Sequence, residues 1–390
     1  MKHRNSFTDF PAFLQGGPDI HLYSLIRMSE GFSVMDVVEC KEKGVAMELI
    51  IPKKLKENDV VATVSLSWGG AGDEDILWRY HQGVQRLEEE FALRVRPMPN
   101  SLKGTEYLYK HPEKRAEDLM QAFLDPEIKA IICNIGGEES IRLLPYLDLS
   151  VIRNNPKIVM GYSDSTIVHL CCLAAGIRSY YGPLILVEFA ENVEIDPYTV
   201  RWMRKTLFDI EPMGLIETPV HWTSEHLPWE EKNRETRRKM EPNTAYQLLQ
   251  GTGAVQGHLL GGCMEVLEMA KGTGIFPKNW AGSILFFETS EERPEPSCVK
   301  AWLRNYAALG ILQGAAGLLF AKPYGEEHQE EYHQIILQVL AECGREDMPV
   351  LANLCYGHTE PMCILPYGAL AEIDCEKKTL NILEPGVIDS

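Results

Sequence analysis

No apolar run in the 390-residue chain approaches the roughly 20 residues that a membrane-crossing helix needs, so a helical membrane protein is not expected. Positive charge is also short: 38 Lys and Arg stand against 56 Asp and Glu, a formal net charge of −18. Nucleic acid and anionic membranes repel such a surface and are not expected as main partners. The ten cysteines follow no disulfide framework, and no signal peptide is visible, which predicts a reduced, cytoplasmic protein. Cys355-x-x-His358, the one near-metal spacing, lacks a second pair, so neither a metal nor another cofactor is expected. Internal repeats and low-complexity tracts are missing, as are G-x-G-x-x-G and G-x-x-x-x-G-K-[ST], which removes the common phosphate-loop readings.

What remains is an ordinary globular composition, 45% hydrophobic and 24% charged, in a chain long enough for two domains. Residues 1–46 mix polar, Gly-Pro and short apolar pieces without sustained periodicity, so they are set apart as an extension. The codons for Lys43-Gly44-Val45 can read GGAG upstream of Met47, which is therefore expected to be the natural start. The alternative is an arm that packs on the body or on a partner subunit. The first strand is expected at Val60–Leu66, followed by the Gly-rich loop Ser65–Gly72 and an amphipathic helix over Asp73–Phe91. Lys114–Leu124 is a further helix, Ala130–Ile135 a buried strand, and Glu138–Leu144 a helix stopped by Pro145. Strands alternating with helices at this spacing argue for a parallel, helix-covered sheet, whose active groups collect at the carboxyl ends of the strands.

The chain is organised around Val159-Met160-Gly161-Tyr162-Ser163-Asp164-Ser165-Thr166. A strand over Lys157–Met160 turns into a helix over Asp164–Ala175 with Ser163 at the apex, the geometry of a nucleophile elbow or of a plain Ser N-cap. Gly136-Gly137 falls on the neighbouring loop, where a backbone without Cβ atoms can offer an N–H to a ligand or simply turn tightly. An oxyanion hole from the Gly137 and Asp164 N–H groups follows on the first reading. Residues 192–243 are polar and Pro-dotted, and Trp222 and Trp229 stand there in a charged, exposed-looking loop, as a substrate flap or as rings packed on their own domain. The alternating charges of Glu230–Lys239 read as a solvated face. A second domain opens at Gly251, with a strand over Val255–Leu260, a turn at Gly261-Gly262-Cys263 and a helix over Met264–Lys271. Glu288 closes a strand from Ser283 and is a candidate orienting acid, with Glu291 and Glu292 as more solvated alternatives. His358, in a Gly- and Pro-bounded loop after the Pro349–Leu354 strand, is a candidate base, and Ala369–Leu383 closes the chain as a hairpin.

Taken in order, NIGGEESIRLLPYLD, GYSDST, GHLLGGCMEVLEMAKGT, ILFFETSEE, GLLFAKP and YGHTEPMCILPYGA resemble the LD-carboxypeptidases over about Ile50–Leu383. The NIGG form at Asn134–Gly137 is similar to the branch that contains the microcin C self-immunity peptidase. The resemblance implies an α/β protein with an N-terminal parallel-sheet domain like class I glutamine amidotransferases and a smaller C-terminal α/β domain. It also implies a cleft between them, a homodimer, and a metal-free Ser-Glu-His triad falling on Ser163, Glu288 and His358, with oxyanion donors at Gly137 and Asp164. On this scheme residues 47–215 form the nucleophile domain, 216–250 a linker and substrate loop, and 251–390 the domain that carries Glu and His. Substrate-binding positions are expected at Trp222, for nucleobase stacking, and at Cys263, where many relatives carry Asn. The expected substrate is an aminoacyl or peptidyl nucleotide, the alternative a murein tetrapeptide, with no nucleic-acid or membrane partner.

Overall fold

Along the Val60–Val64 strand, Val60, Ala62 and Val64 pack into one apolar core and Val61 into another. Ile131 and Cys133 oppose Ala130 and Ile132 in the same way along Ile128–Cys133, as Val159 opposes Ile158 and Met160 along Ile158–Gly161. Strands apolar on both faces belong inside a parallel sheet covered on both sides. The computed structural model describes residues 48–389. Met47 and the extension before it lie outside the described residues. The first sheet has six strands, in the order Leu365–Pro366, Tyr180–Tyr181, Ile158–Gly161, Ile128–Cys133, Val60–Val64, Arg94–Pro97. All pairs are parallel except the Leu365–Pro366 edge.

The second sheet has eight strands: Gly214–Leu215, Thr379–Ile382, Leu370–Asp374, Ala254–Cys263, Ser283–Glu288, Gly317–Ala321, Val350–Leu354, Gln247–Gln250. Its centre, from Ala254–Cys263 to Val350–Leu354, is parallel, and its flanks are antiparallel. The two halves exchange edges. Leu365–Pro366 from the second half closes the first sheet, while Gly214–Leu215 and Gln247–Gln250 close the second. The described residues therefore fold as a mixed α/β protein with one largely parallel sheet and one mixed sheet built on a parallel centre.

Two local expectations change. Gly261-Gly262-Cys263 is not a turn: the Ala254–Cys263 strand runs through it, in register with Phe286, Phe287 and Glu288. A Cβ on Gly261 would come 1.7 Å from the Phe286 carbonyl oxygen, so glycine here permits a close strand approach rather than a reversal. Ser140–Tyr146 forms a 3-10 segment instead of the helix expected over Glu138–Leu144. Its Ser140 N–H is taken by the Asp164 carboxylate, and Pro145 has no N–H to give.

Candidate active site

Carboxyl ends of parallel strands from both sheets meet at one cleft of about 430 Å³. The volume suits a small-molecule ligand. From the first sheet come the loops after Val60–Val64, Ile128–Cys133 and Ile158–Gly161, which bring Trp68, Gly136-Gly137 and Tyr162-Ser163 to the wall. From the second come Glu291, just past Ser283–Glu288, and His358, just past Val350–Leu354.

Ser163 sits at φ +60°, a left-handed conformation that a non-glycine residue holds only under constraint. The constraints are visible: the Ser163 N–H donates to the Tyr181 hydroxyl at 3.2 Å, and the Ser163 carbonyl accepts from Thr166 Oγ1 at 2.7 Å. Opposite lies Gly136, where a Cβ would come within 2.9 Å of Ser163 Oγ. The Gly136 carbonyl accepts from the Trp68 N–H at 3.1 Å, so the trans peptide sends the Gly137 N–H the other way. Gly137 itself has φ +132°, and Ser67 Oγ, 2.6 Å from where a Cβ would stand, leaves only glycine room. The buried Asp164 carboxylate accepts the Ser140 N–H at 2.8 Å and its carbonyl accepts Ser140 Oγ at 2.7 Å, tying the two loops together. Burial pushes the Asp164 carboxyl up, against the hydrogen bonds from Ser67 and Ser140.

Glu288 stands behind the wall with its side chain 1% exposed. One carboxylate oxygen accepts both the Nδ1–H and the backbone N–H of His358, at 2.8 and 3.0 Å, and the other accepts the Tyr181 hydroxyl. Tyr181 thereby links the backbone of Ser163 to the acid that holds His358. The Tyr162 ring meets the imidazole edge-on, centroids 5.0 Å apart. The second imidazole nitrogen, Nε2, lies 3.0 Å from Glu291 Oε2. Burial alone would lower the His358 pKa, but Glu288 and Glu291 together hold it well above the ordinary histidine value. The same contact holds the Glu291 carboxyl at about 2. Below the Ile158–Gly161 strand, His169 donates Nε2–H to the Gly161 carbonyl at 2.8 Å and accepts from Ser179 Oγ at 2.9 Å. Burial pushes its pKa down to about 4, so it is a neutral prop.

The structure brings Ser163, Gly137 and His358 to one cleft, with Glu288 and Asp164 supporting them. It does not bring Trp222 or Cys263 there. Trp222 is buried, paired in the short ladder between His221–Trp222 and Glu241–Pro242, with the Lys322 ammonium 4.3 Å from its ring centroid. Its small polar neighbours leave no open face because the tertiary fold, not the adjacent sequence, covers the ring. Cys263 is buried with Sγ 3.3 Å from Glu265 and does not line the cleft. Trp229 lines it instead, near-parallel to Trp68 (centroids 6.3 Å apart, 28°) and with the Arg79 guanidinium 4.7 Å over its ring.

Sequence reasoning also missed the cleft's charges. Arg238 belongs to the run read as a solvated face, yet its side chain is 16% exposed and paired with both Glu191 and Glu360. Nothing local distinguishes it from Arg237, which pairs on the surface with Glu194 at 2.7 Å. Cys355 Sγ lies 2.9 Å from the hydroxyls of Tyr198 and Tyr246. None of the nine described cysteines is in a disulfide, no group of three His, Cys, Asp or Glu among the described residues could hold a metal, and no described helix could cross a membrane.

Comparison with known proteins covers both halves of this arrangement. Residues 61–182 match the LD-carboxypeptidase N-terminal domain and residues 256–373 the LD-carboxypeptidase C-terminal domain. The Microcin C7 self-immunity protein MccF of Escherichia coli is 27% identical over 316 residues, covering 78% of this chain and 88% of that protein. A "Probable murein peptide carboxypeptidase" of Bacillus subtilis (strain 168) is 29% identical over 306 residues, 77% of this chain and 85% of that one. Among solved structures, an MccF-like protein from Streptococcus pneumoniae in complex with AMP superposes with a TM-score of 0.77 at 32% identity, covering 83% of this chain and 98% of that one. With both of its domains matched along a chain that folds accordingly, this protein belongs to the LD-carboxypeptidase family and is a serine-type carboxypeptidase hydrolase.

Proposed function

We propose that the enzyme cleaves the amide-type linkage of an aminoacyl or peptidyl nucleotide with a Ser163–His358–Glu288 triad. The observation that carries the reading is the His358 Nδ1–Glu288 contact of 2.8 Å, buried beside the cleft that Ser163 and Trp229 line. Serine is a weak nucleophile at its own pKa and needs a base. Glu288 fixes the imidazole with its proton on Nδ1, which leaves Nε2 to take the proton of Ser163 Oγ as that oxygen attacks the carbonyl carbon. The Gly137 and Asp164 N–H groups stabilise the oxyanion of the tetrahedral intermediate, a contribution of about 3–4 kcal/mol per donor in comparable holes. His358 returns the proton to the leaving nitrogen, and water then opens the acyl-enzyme by the same route. In keeping with the family resemblance, the enzyme is further read as a cytoplasmic homodimer.

Trp229 supports the nucleotide over the murein tetrapeptide, since an indole in the cleft wall suits a nucleobase, and the Streptococcus pneumoniae relative binds AMP. Stacking of this kind is worth ~1–3 kcal/mol. The test measures kcat/KM for an aminoacyl sulfamoyl-adenosine and for a tetrapeptide ending in D-Ala, in wild type and in Trp229→Ala. The nucleotide is expected to be the better substrate and Trp229→Ala to lower its kcat/KM roughly ten- to a hundredfold. A better rate on the tetrapeptide overturns the substrate in favour of the murein alternative. An unaffected nucleotide rate in Trp229→Ala overturns the stacking role alone.

A further inference from the structure

The contacts of His358 hold the proposed base in a form that cannot act. With Nδ1 given to Glu288, Nε2 is the only nitrogen of His358 left to receive a proton from Ser163, and Glu291 Oε2 occupies it at 3.0 Å. An imidazole donating to a carboxylate at each end is an imidazolium, a proton donor rather than an acceptor. Catalysis therefore requires Glu291 to leave. It is free to do so: its side chain is 57% exposed and lines the cleft, in contrast to the buried Glu288.

Within the cleft, another positive charge would hold the carboxylate away from the imidazolium more firmly than solvent does. The described cations around it are committed. Arg238 is held between Glu191 and Glu360, and Arg79 donates to the Leu186 carbonyl and Asn192 Oδ1 at 2.7 and 3.0 Å. Arg293, two residues on, pairs with Glu327 at 2.8 Å, and Lys322 with Glu326 at 2.5 Å. A ligand cation is the partner left to supply that charge. Ser163 attacks a carbonyl carbon, and in an aminoacyl group the α-nitrogen sits one carbon away from it. An α-ammonium is thus delivered close to the nitrogen that Glu291 caps.

We propose that Glu291 is a specificity-determining cap, drawn off His358 Nε2 by the free α-ammonium of an aminoacyl substrate, so that the Nε2 proton, no longer held by a carboxylate, passes to solvent and the base is released when such a substrate binds. This rests on the serine-hydrolase reading above and narrows it. A single amino acid on a nucleotide carries that ammonium next to the scissile carbonyl, whereas a peptidyl nucleotide or the L,D bond of a murein peptide presents an acylated nitrogen there.

The test uses aspartyl sulfamoyl-adenosine with its α-amine free or N-acetylated, against wild type and Glu291→Gln. Wild type is expected to favour the free amine at least tenfold in kcat/KM. Glu291→Gln, whose amide neither draws an ammonium nor stabilises an imidazolium, should bring the two substrates to within about twofold by lowering the first rate and raising the second. The groups facing His358 are Glu288 at Nδ1, Glu291 at Nε2 and the Tyr162 ring, with Glu360 already taken by Arg238. Loss of Glu291 should therefore also move the acid limb of the kcat/KM–pH profile for the acetylated substrate to lower pH. A merely structural role would leave that limb in place. Equal wild-type rates on the two compounds, or an undiminished preference in Glu291→Gln, overturn the role of Glu291 and leave the triad standing. Absence of hydrolysis of both compounds by wild type, with cleavage of the tetrapeptide, overturns the nucleotide reading on which the inference rests.

Discussion

At the scale of single residues, the site is defined by backbone strain and by buried hydrogen bonds. Ser163 is held at φ +60° by Tyr181 and Thr166, so the hydroxyl stands clear of the helix that follows. On the proposed mechanism, removing Oγ takes away the nucleophile, and it empties no core. Ser163→Ala is expected to keep the fold and ligand affinity while losing on the order of 10⁴-fold or more in kcat, the usual cost of a triad member. His358→Ala should behave alike. Glu288→Gln should lose somewhat less, because an amide oxygen can still accept the Nδ1–H. Turnover of Ser163→Ala above about a tenth of wild type would remove Ser163 from the role. Ligand affinity and the thermal melting curve of the same variant separate lost chemistry from lost structure.

At the scale of elements, the segment from Trp222 to Glu241 forms one wall of the cleft. It is tied at one end by Thr223, whose N–H and carbonyl pair with Glu360 at 2.7 and 3.0 Å. Further along, Arg238 bridges Glu191 of the first half and Glu360 of the second. Between these ties lie Glu225, His226, Leu227 and Trp229, all on the cleft wall. Truncating one member of a buried charge cluster strands the others and typically costs 3–5 kcal/mol. Arg238→Ala should therefore loosen this segment, raising amide hydrogen exchange across residues 223–240 and raising KM at least tenfold with a smaller change in kcat. Unchanged exchange in that window would show that the other contacts suffice to hold it.

At the scale of the whole molecule, the buried Glu188 sets a pH dependence of stability. Burial raises its pKa to about 7, more than the Leu184 N–H that it accepts can offset. A folded pKa above the unfolded value near 4.5 means that stability from this group is full below about 4.5 and is lost as pH rises through 7. In Glu188→Gln, which keeps an acceptor for Leu184, that loss should vanish. The variant should gain on wild type by on the order of 3 kcal/mol between pH 4.5 and 8 in urea unfolding. Parallel pH curves for the two proteins would assign the group an unshifted pKa.

The sequence by itself determined most of the buried parallel strands, the strand-to-helix turn at Ser163, the Gly136-Gly137 loop and the candidacy of Glu288 and His358. Those features rest on periodicity and turn chemistry within a few neighbouring residues. The tertiary structure decided the rest, because each remaining question is about distance between residues far apart in the chain. Trp222 and Trp229 are equivalent in local sequence, and only the fold puts Lys322 on one and opens the cleft to the other. Arg238 looks solvated until Glu191 and Glu360 close on it, and Cys263 looks like part of a turn until Phe286 and Glu288 draw its strand alongside. Glu291 reads as a solvated acid. That its carboxylate meets His358 follows from two strands of one sheet, with Gly317–Ala321 between them, ending at the same edge, a juxtaposition no local pattern encodes.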